Sequence, residues 1–498
     1  MRGSSRLLWA AAVAGLAGTV AALTTPTAPD ARSFATTVSA VSTQPAPSEA
    51  STRSPAGTGH SALARISSDP FTNASAQHAT EADPSIGSSS ATVVAAFDEG
   101  LFADGDGASG IGFATSHDDG RTWIHGSLPG ITRYTGGPFS AAIFPTVAYD
   151  ARHRTWLIAA LAGLAGSAGP PVKIAVLASR STDAGRTWSR PVTVAQETDG
   201  RNLDGPAIAC DHWRSSPYDG HCYIEFTRLD RPGDSAGKII QMAVSADGGR
   251  SWGTAKATAN HATGTAGKPL VRPDGTVVVP VDIWPKADQV LSFQSYDGGG
   301  TWGPARAIAQ AKTAVDPFSN PLFIPALADA EDGTGRIYLA WQDCRFRPGC
   351  SANDIVMTTS GNGTCWTPVR RVTGSTGDDT LPGVGADPVS AGPSARIGIT
   401  YYHYYPHCTA ASCRIGVRFV SSADGGATWS RPARVAWPMQ SSWLATAGQG
   451  AMISYFIGTT VLPGGNAVTA FPLATAPAGS ELHQDMYVVR GGMPIRGS

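Results

Sequence analysis

A single glutamate on an apolar strand is the most informative residue of the sequence for chemistry. Glu225 stands between Ile224 and Phe226, in a stretch whose residue types predict a buried β-strand. A carboxylate is costly to bury unless it is paired, and burial raises its pKa. We interpret Glu225 as a catalytic group in a central pocket, either a general acid or the partner of a nucleophile. An ion pair with Arg228, or a local shift that turns the side chain to solvent, stays open as the alternative.

A second group of charged residues lies in a short loop next to a cysteine. Asp343 and Arg345 flank Cys344, and a disulfide with Cys350 would stiffen the loop. The guanidinium of Arg345 offers a bidentate fork for the carboxylate of a sugar acid, and Asp343 is a candidate catalytic carboxylate. The alternative is that the two residues pair with each other and hold the loop together.

Two further clusters have residue types suited to binding a sugar. Asp204 is a candidate catalytic residue, and Arg201 is a candidate ligand-binding residue close to it and to Asp199. These side chains can instead cap their own loop. Tyr402 and Tyr404 belong to an aromatic run at 401–405, and their rings are suited to stacking on sugars. Alternating core packing is the other interpretation of that run.

The sequence predicts no metal site and no cofactor. The run Asp104-Gly-Asp106-Gly107 hints at a structural calcium ion, but it lacks the twelve-residue pattern of ligands that such a loop needs. The chain shows no phosphate-binding loop, nucleophile elbow or zinc motif.

These residues are set within a repeat, Ser-x-Asp-x-Gly-x-Thr/Ser-Trp. Asp and Gly suit a tight turn, in which the carboxylate accepts local backbone N–H bonds and Gly takes a positive φ. The tryptophans advance by 65, 64, 50, 64 and 63 residues, a period typical of propellers and repeat arrays. Five full copies end at Trp123, Trp188, Trp252, Trp302 and Trp429, and a shorter, degenerate copy ends at Trp366.

Between the turns, a second pattern pairs a small residue with a bulky one in each β-rich run. The small members of these pairs are Ala96, Ala160, Pro280, Ala340, Thr400 and Ala470, with Glu225 as the exception. Seven such units predict an all-β fold, a single seven-bladed β-propeller of four-stranded antiparallel blades. A six-bladed ring is the alternative. The last unit lacks a fourth strand, and the stretch near Ala64–Ser67 can supply it and close the ring.

The order of strands in such a blade also predicts where a site lies. The Ser-x-Asp turns and the first hairpin turn of each blade share one face, so the long, chemically rich loops share the other. Binding sites favour the mouth at which such loops converge.

The repeated turns are Asp boxes, and the chain resembles the sialidase-like superfamily of Asp-box β-propellers, in particular its secreted, sialidase-related members. The resemblance spans roughly residues 64–489 and rests on the Asp boxes together with the segments Asp69–Asn73, Trp341–Arg347 and Ser351–Ile355. It implies a secreted carbohydrate-active protein of glycoside hydrolase type. The alternative is a non-catalytic propeller that binds glycans or proteins at the cell envelope or outside the cell.

One family motif is replaced in this sequence. In sialidases an arginine in an Arg-Ile-Pro motif opens the first blade and binds the substrate carboxylate. The corresponding place here reads Glu81-Ala-Asp83-Pro84-Ser-Ile86. An acidic residue there repels a sialate carboxylate, so the sequence argues against exo-sialidase activity.

Composition and cysteine usage agree with an exported protein. The 498 residues carry 37 Lys+Arg against 38 Asp+Glu, which gives no basic field for nucleic acid or for a membrane surface. Three close cysteine pairs predict three local disulfides, Cys210–Cys222, Cys344–Cys350 and Cys408–Cys413, and leave Cys365 as a buried thiol. We expect a secreted monomer that binds a glycan and has no membrane span after cleavage.

The chain divides into four segments. Arg2 and Arg6 precede an uncharged run, which is typical of a signal peptide, although a retained anchor is the alternative. The predicted segments are a signal peptide at 1–23, a Ser/Thr/Pro/Ala-rich linker at 24–61, the propeller at 62–490 and a tail at 491–498.

Overall fold

The computed structural model describes residues 63–103, 107–164, 173–198, 200–229, 237–265, 267–283, 288–314, 326–409, 412–447, 450–479 and 481–497. The predicted signal peptide and linker lie outside these residues, as do Asp199 and the calcium-like pair Asp104 and Asp106.

The described residues form an all-β structure, which confirms the predicted class. In chain order the strands are β1 (Leu63–Arg65), β2 (Glu81–Ser89), β3 (Thr92–Leu101), β4 (Ala108–Ser116), β5 (Ile124–Ser127), β6 (Ala141–Asp150), β7 (Thr155–Leu164), β8 (Lys173–Ser181), β9 (Val192–Glu197), β10 (Asn202–Cys210), β11 (Cys222–Leu229), β12 (Lys238–Ser245), β13 (Lys256–Ala257), β14 (Gly264–Thr265), β15 (Leu270–Val271), β16 (Val277–Ile283), β17 (Gln289–Ser295), β18 (Arg306–Gln310), β19 (Ala328–Glu331), β20 (Ile337–Asp343), β21 (Asp354–Ser360), β22 (Arg370–Arg371), β23 (Asp378–Ala386), β24 (Ile397–Tyr404), β25 (Arg414–Ser422), β26 (Ala433–Arg434), β27 (Met439–Gln440), β28 (Ala445–Ala447), β29 (Gly450–Met452), β30 (Gly458–Val461), β31 (Asn466–Ala474), β32 (Gln484–Val489) and β33 (Met493–Pro494).

Helical structure in the described part of the chain is limited to four single 3₁₀ turns, at Arg133–Thr135, Pro348–Cys350, Gly392–Ser394 and Ser441–Trp443. None of the described helices is long and apolar enough to cross a membrane.

The strands pair in antiparallel order along the chain. We number the groups sheet 1 (β2–β5), sheet 2 (β6–β9), sheet 3 (β10–β13), sheet 4 (β14–β18), sheet 5 (β19–β22), sheet 6 (β23–β27) and sheet 7 (β30–β33 with β1). A single pair, Ala108 with Ala142, joins sheets 1 and 2. The strands β28 and β29 form a separate hairpin.

The N-terminal strand completes the last sheet. Leu63, Ala64 and Arg65 of β1 pair with residues of β32, as the sequence predicts for the stretch near Ala64. Ser67 extends the join, because its hydroxyl accepts the backbone N–H of Met486 at 2.9 Å. The edge of β32 is therefore covered by a strand from the other end of the chain.

One strand from the inner side of each sheet takes part in a cycle of contacts. β2 contacts β6, β6 contacts β10, β10 contacts β15, and β15 contacts β19. The cycle continues through β23 and β30, and β30 contacts β2. These inner strands therefore surround a common axis.

Each Asp box folds as the sequence predicts. In the first, Asp118 accepts the backbone N–H groups of Arg121 and Thr122 and the hydroxyls of Ser116 and Thr122. The indole N–H of Trp123 donates to the backbone carbonyl of the box glycine at 3.0 Å. The carboxylate thus binds the donors of its own turn, which confirms a structural role.

The register of the second strands corrects one equivalence in the repeat. Counted from the residue that pairs with each Asp-box serine, the small position is Ala96 in sheet 1, Glu225 in sheet 3 and Ala159 in sheet 2. The predicted Ala160 is one residue too far, because both alanines fit a buried strand and the sequence alone does not distinguish them. Glu225 remains the carboxylate at this position.

The three predicted disulfides are all present, Cys210–Cys222, Cys344–Cys350 and Cys408–Cys413. The prediction of a buried Cys365 is wrong, since this thiol is exposed. It lies in the degenerate Asp box, whose turn projects from the end of sheet 5 rather than into the core.

We predict that the charge of an Asp box stabilises the fold. Asp118→Ala should lower the free energy of unfolding by about 2 kcal/mol at neutral pH, because several N–H and O–H donors lose a charged acceptor. Partial burial opposes ionisation of Asp118, yet hydrogen bonds from Thr122 and Ser116 lower its pKa to about 2. The stabilisation should therefore persist above pH 4 and be lost as the pH falls toward 2.

The degenerate box provides the control for this measurement. Asn362 accepts the backbone N–H groups of Thr364 and Cys365 with a neutral amide oxygen. Asn362→Ala should cost less than Asp118→Ala in chemical denaturation, and its cost should not vary with pH. Equal costs at every pH would show that the charge contributes nothing.

Candidate functional site

A cavity of about 130 Å³ lies on the axis that the inner strands surround. Its wall includes residues of all seven sheets, represented by Pro84, Thr146, Pro206, Lys268, Asp329, Pro382 and Thr459. The ring of Phe144 meets those of Tyr455 and Phe456 edge to face in the same wall, at centroid distances of 5.6 and 5.9 Å. The cavity therefore combines an aromatic side with hydroxyls and two charged groups.

A repeated proline bulge shapes this wall. Pro84, Pro145, Pro206 and Pro382 each follow a residue with φ between 51° and 58° in the first strand of its sheet. Pairing with the second strand is interrupted at each of these places. The residue before the proline thus leaves the ladder, and in sheet 1 that residue is Asp83.

Asp83 is buried and is held from the neighbouring sheet. One carboxylate oxygen accepts the backbone N–H of Tyr455 at 2.6 Å and the hydroxyl of Ser454 at 3.0 Å. The other oxygen has no hydrogen-bond partner among the described residues. Burial raises the pKa of Asp83 to about 6, and the hydrogen bonds from Tyr455 and Ser454 oppose that rise.

Asp98 completes a carboxyl pair with Asp83. It is fully buried, and neither of its oxygens has a hydrogen-bond partner of normal geometry among the described residues. Burial raises the pKa of Asp98 well above its usual range, and the neighbouring charge of Asp83 raises it further. Asp98 therefore keeps its proton to a higher pH than Asp83 does, and the environments of the two carboxyls separate their pKa values.

Tyr402 adds a hydroxyl to this group. It lies at the register position in sheet 6 that Asp98 occupies in sheet 1, five residues beyond the partner of the Asp-box serine. Its hydroxyl is buried and without a hydrogen-bond partner in the described residues. Burial raises the pKa of Tyr402 well above its usual range, and Asp83 adds to the effect. The hydroxyl stays protonated at any ordinary pH.

A second carboxyl pair lies behind the first. Glu81 and Glu99 face each other across β2 and β3, and both are buried. Burial raises the pKa of Glu99 to about 8, with an opposing hydrogen bond from Ser127. Burial also raises the pKa of Glu81 well above its usual range, and the charges of Asp485 and Glu99 add to that rise.

The structure brings two predicted catalytic residues, Glu225 and Asp204, together on sheet 3. Asp204 forms a buried ion pair with Lys238, at 2.7 Å between Oδ2 and Nζ. Glu225 is fully buried, and neither of its oxygens makes a hydrogen bond of normal geometry in the described residues. Burial raises its pKa well above the usual range, opposed by the amide of Gly267.

Glu225 stands one layer behind the cavity rather than in its wall. Its cross-strand partner Ala207 lines the cavity, and Glu225 is not among the lining residues described. The alternative of a solvent-facing side chain does not fit its complete burial. Its catalytic role remains a prediction.

Asp343 lies apart from these groups and is occupied within its own loop. Arg345 binds it through two nitrogens, Nε at 2.8 Å and Nη2 at 2.6 Å. The indole of Trp341 and the backbone N–H of Lys312 donate to the same carboxylate, each at 3.1 Å. These contacts support the alternative in which the pair holds the loop.

The remaining predicted ligand-binding residues do not meet at the cavity. Tyr402 and Tyr404 are buried in one apolar cluster with Ile457, so neither presents a ring face to solvent. Arg201 lies 4.0 Å from the carboxylate of Glu197. No group of three or more His, Cys, Asp or Glu side chains within the described ranges is arranged to hold a metal ion.

Sequence reasoning missed Asp83 and Asp98 as a pair. The signal that points to them is a proline that recurs every 61 residues, at Pro84, Pro145 and Pro206. Aligned on these prolines, the preceding residues are Asp83, Phe144 and Gly205. Asp83 is the acid among these residues before the prolines, as Glu225 is the acid among the small residues of the second strands.

We predict that the buried glutamates make the fold sensitive to alkali. Because the folded state keeps a proton that the unfolded carboxyl has released, the free energy of unfolding should fall as the pH rises from about 5 to about 8. Glu99→Gln should flatten this fall and exceed the wild-type stability by about 2 kcal/mol at pH 8. Denaturant titrations over that range measure the effect.

The exposed Glu481 serves as the control, since Glu481→Gln removes a carboxylate from solvent rather than from the interior. It should reproduce the wild-type pH profile. A wild-type slope in the Glu99→Gln variant would contradict the assigned proton.

Comparison with known proteins agrees with the repeat. No curated protein matches the sequence. Similar solved structures include a Hadza microbial sialidase, 16% identical with a TM-score of 0.46 over 65% of this chain and 64% of the other. A protein of unknown function from Dyadobacter fermentans is 16% identical, with a TM-score of 0.44 over 72% and 98%. A variant of NanB sialidase from Streptococcus pneumoniae is 12% identical, with a TM-score of 0.43 over 86% and 70%.

The family model described as a BNR repeat-like domain matches residues 156–318. This segment includes the Asp boxes that end at Trp188, Trp252 and Trp302. Over these residues the chain is similar to a BNR repeat-like domain, in agreement with its Asp boxes.

Proposed function

We propose that the chain is a secreted, sialidase-like Asp-box propeller of seven four-stranded blades, which acts on a glycan at the mouth of its central cavity. The cycle of contacts among the inner strands and a cavity bounded by all seven sheets support seven blades over six. Three disulfides and the apolar N-terminal run support export.

The carboxyl pair Asp83–Asp98 carries the enzymatic part of the proposal. The environments of these two carboxyls separate their pKa values, because burial raises that of Asp98 well above its usual range and that of Asp83 only to about 6. Glycoside hydrolysis needs a general acid that is protonated near neutral pH. Asp98 donates its proton to the glycosidic oxygen as the bond between that oxygen and the anomeric carbon breaks, and Tyr402 can donate a hydrogen bond alongside.

The position of the pair sets a condition on access. Asp83 joins Pro84 in the chain and binds the backbone of Tyr455, and both of those residues line the cavity. The pair itself is fully buried, so a glycan reaches it when the side chains of Tyr455 and Phe456 move. Two carboxyls that share a proton are also closer than the roughly 5 Å of a retaining pair. They therefore act as one unit: the pair gives a proton to the leaving-group oxygen, a water molecule attacks the anomeric carbon, and the proton released by that water returns to the pair.

A non-catalytic glycan-binding propeller is the second candidate, and a specific observation favours it. The groups in the cavity wall are aromatic rings, hydroxyls, Lys268 and Asp329, while neither Asp83 nor Asp98 belongs to the wall. Aromatic faces with a few polar groups are the usual lining of a sugar-binding site that does no chemistry.

A panel of labelled glycosides, sialosides included, distinguishes the two candidates. For any glycoside that is hydrolysed, we predict that Asp98→Asn lowers kcat/KM by about 100-fold or more, because the amide holds no transferable proton. Asp282→Asn is the matched control. Asp282 has the same register in sheet 4, the same complete burial and a pKa likewise raised by burial.

The control should turn over substrate near the wild-type rate. Glu225→Gln in the same assay tests the residue singled out by sequence, and wild-type turnover would leave Glu225 with a structural role. Equal losses in Asp98→Asn and Asp282→Asn would contradict the role of the pair. If the protein binds glycans of the panel and releases none, the binding propeller is correct.

A further inference from the structure

We propose that Lys268 and Asp329 form the subsite of the central cavity that selects its ligand, and that they select a neutral sugar, bound through two neighbouring hydroxyl groups. The inference rests on the proposed function, because it requires that the cavity receives a glycan. Lys268, in the segment between β14 and β15, and Asp329 of β19 are the two charged residues among those described in the cavity wall. They therefore have the strongest influence on which polar groups of a ligand the wall accepts.

The alternation of side chains along β19 directs Asp329 toward sheet 4. Ala328 and Ala330 pack against the buried cluster between sheets 5 and 6. Because successive side chains of a strand point to opposite faces, Asp329 lies on the other face. Its cross-strand partner Leu339 shares that face and packs with Val290 of sheet 4. The carboxyl is therefore on the side from which sheet 4 presents its lysine.

Both charged side chains are free to bind a ligand. Asp329 is buried, and its Oδ1 atom has no hydrogen-bond partner among the described residues. Lys268 is exposed, and within the described ranges its ammonium group forms neither a hydrogen bond nor an ion pair. Burial raises the pKa of Asp329 to about 7, and the charge of Lys268 opposes that rise. At pH 8 the wall therefore presents a carboxylate acceptor and an ammonium donor that do not bind each other.

The balance of charge at the subsite disfavours an acidic sugar. Lys268 acts on both Asp329 and Glu331, so one cation faces two carboxyls. His212, whose Nδ1 lies 3.8 Å from Oε1 of Glu331, is neutral at pH 8 because burial lowers its pKa. The partner of Asp329 on β20 is Leu339, and β23 contributes uncharged residues to the wall. Among the described wall residues there is thus no second cation for a sugar carboxylate, and an ionised Asp329 repels one.

Two neighbouring hydroxyls of a sugar match this pair of groups. A hydroxyl is both a donor and an acceptor, so one can donate to Asp329 while its neighbour accepts from Lys268. Hydrogen bonds with an ionised partner are stronger than those between neutral groups. The aromatic rings of the wall, Phe144, Tyr455 and Phe456, come from sheet 2 and from the segment before β30, across the axis from sheets 4 and 5. The C–H face of the same sugar can pack on these rings.

Ligand-observed NMR titrations of the full-length protein at pH 8 with matched sugars test the inference. The probes are the methyl glycosides of glucose, galactose and mannose in both anomeric forms, each paired with the uronide that differs from it by oxidation of C6 alone. At least one neutral probe should bind about tenfold or more tightly than its uronide partner. Among its monodeoxy derivatives, those that lack either of two neighbouring hydroxyls should bind more weakly.

Asp329→Asn keeps the shape of the side chain and removes its charge. It should weaken binding of the neutral probe by about tenfold and strengthen binding of the uronide partner, because a charge-assisted acceptor and a repulsive charge are lost together. These opposite changes distinguish a contact with the ligand from a general loss of structure. Lys268→Gln should weaken the neutral probe several-fold and spare the fold, since Lys268 is exposed.

Two controls match these variants outside the described cavity wall. Asp282→Asn replaces another buried carboxyl, and Lys312→Gln replaces another exposed lysine. Both should leave the affinities for the neutral probe and for its uronide partner unchanged.

Tighter binding of a uronide than of its neutral partner would overturn the inference and leave the glycan-binding role of the cavity in place. Unchanged affinities in Asp329→Asn, or an equal loss in Asp282→Asn, would overturn it as well. An absence of binding by every probe would contradict the proposed function, and the inference with it. Because the readout is binding, loss of hydrolysis in Asp98→Asn leaves these results unaffected.

Discussion

The pairing of β1 with β32 is the interaction on which the rest of the structure depends. It joins residues near 63–65 to residues near 487–489, so both ends of the described chain meet in sheet 7. Without it the last sheet would end in an open strand edge at β32. The same sheet provides β30, which contacts β2 and so takes part in the cycle of inner strands around the axis.

The arrangement of the sheets around a common axis buries several carboxyl groups. The ends of the second strands carry Asp98, Glu99 and Asp282, which are buried, and the carboxyl oxygens of Asp98 and Asp282 have no hydrogen-bond partner among the described residues. A carboxylate in such a place loses far more hydration than it regains. It therefore keeps a proton to a higher pH than in water, and its burial lowers the stability of the fold.

Much of the fold can be predicted from the sequence because its determinants are local. An Asp box is written in eight consecutive residues, and its carboxylate binds donors within four positions, as Asp118 does with Thr122. The disulfides close loops of 5 to 12 residues, and the alternation of small and bulky residues marks each second strand. The all-β class and the closing strand follow from these short-range patterns.

The site was less predictable because its contacts are long-range. Asp83 is bound by Ser454, which is 371 residues away in the chain, and a proline bulge turns its carboxylate toward that partner. The sequence pattern makes Asp343 a candidate catalytic carboxylate, whereas the structure shows its oxygens occupied by Arg345 and Trp341. Glu225 was recognised as a buried acid from its neighbours, but only the pairing of β10 with β11 places it behind the cavity wall.

The central claim is that Asp98 holds a proton beside an ionised Asp83 at neutral pH. Infrared spectroscopy of the folded protein measures it directly, because a protonated carboxyl and a carboxylate absorb at separate frequencies. The difference spectrum between wild type and Asp98→Asn should show the loss of a protonated-carboxyl band. In the wild type this band should persist until the pH is well above neutral. A difference spectrum that shows only the loss of a carboxylate band at neutral pH would contradict it.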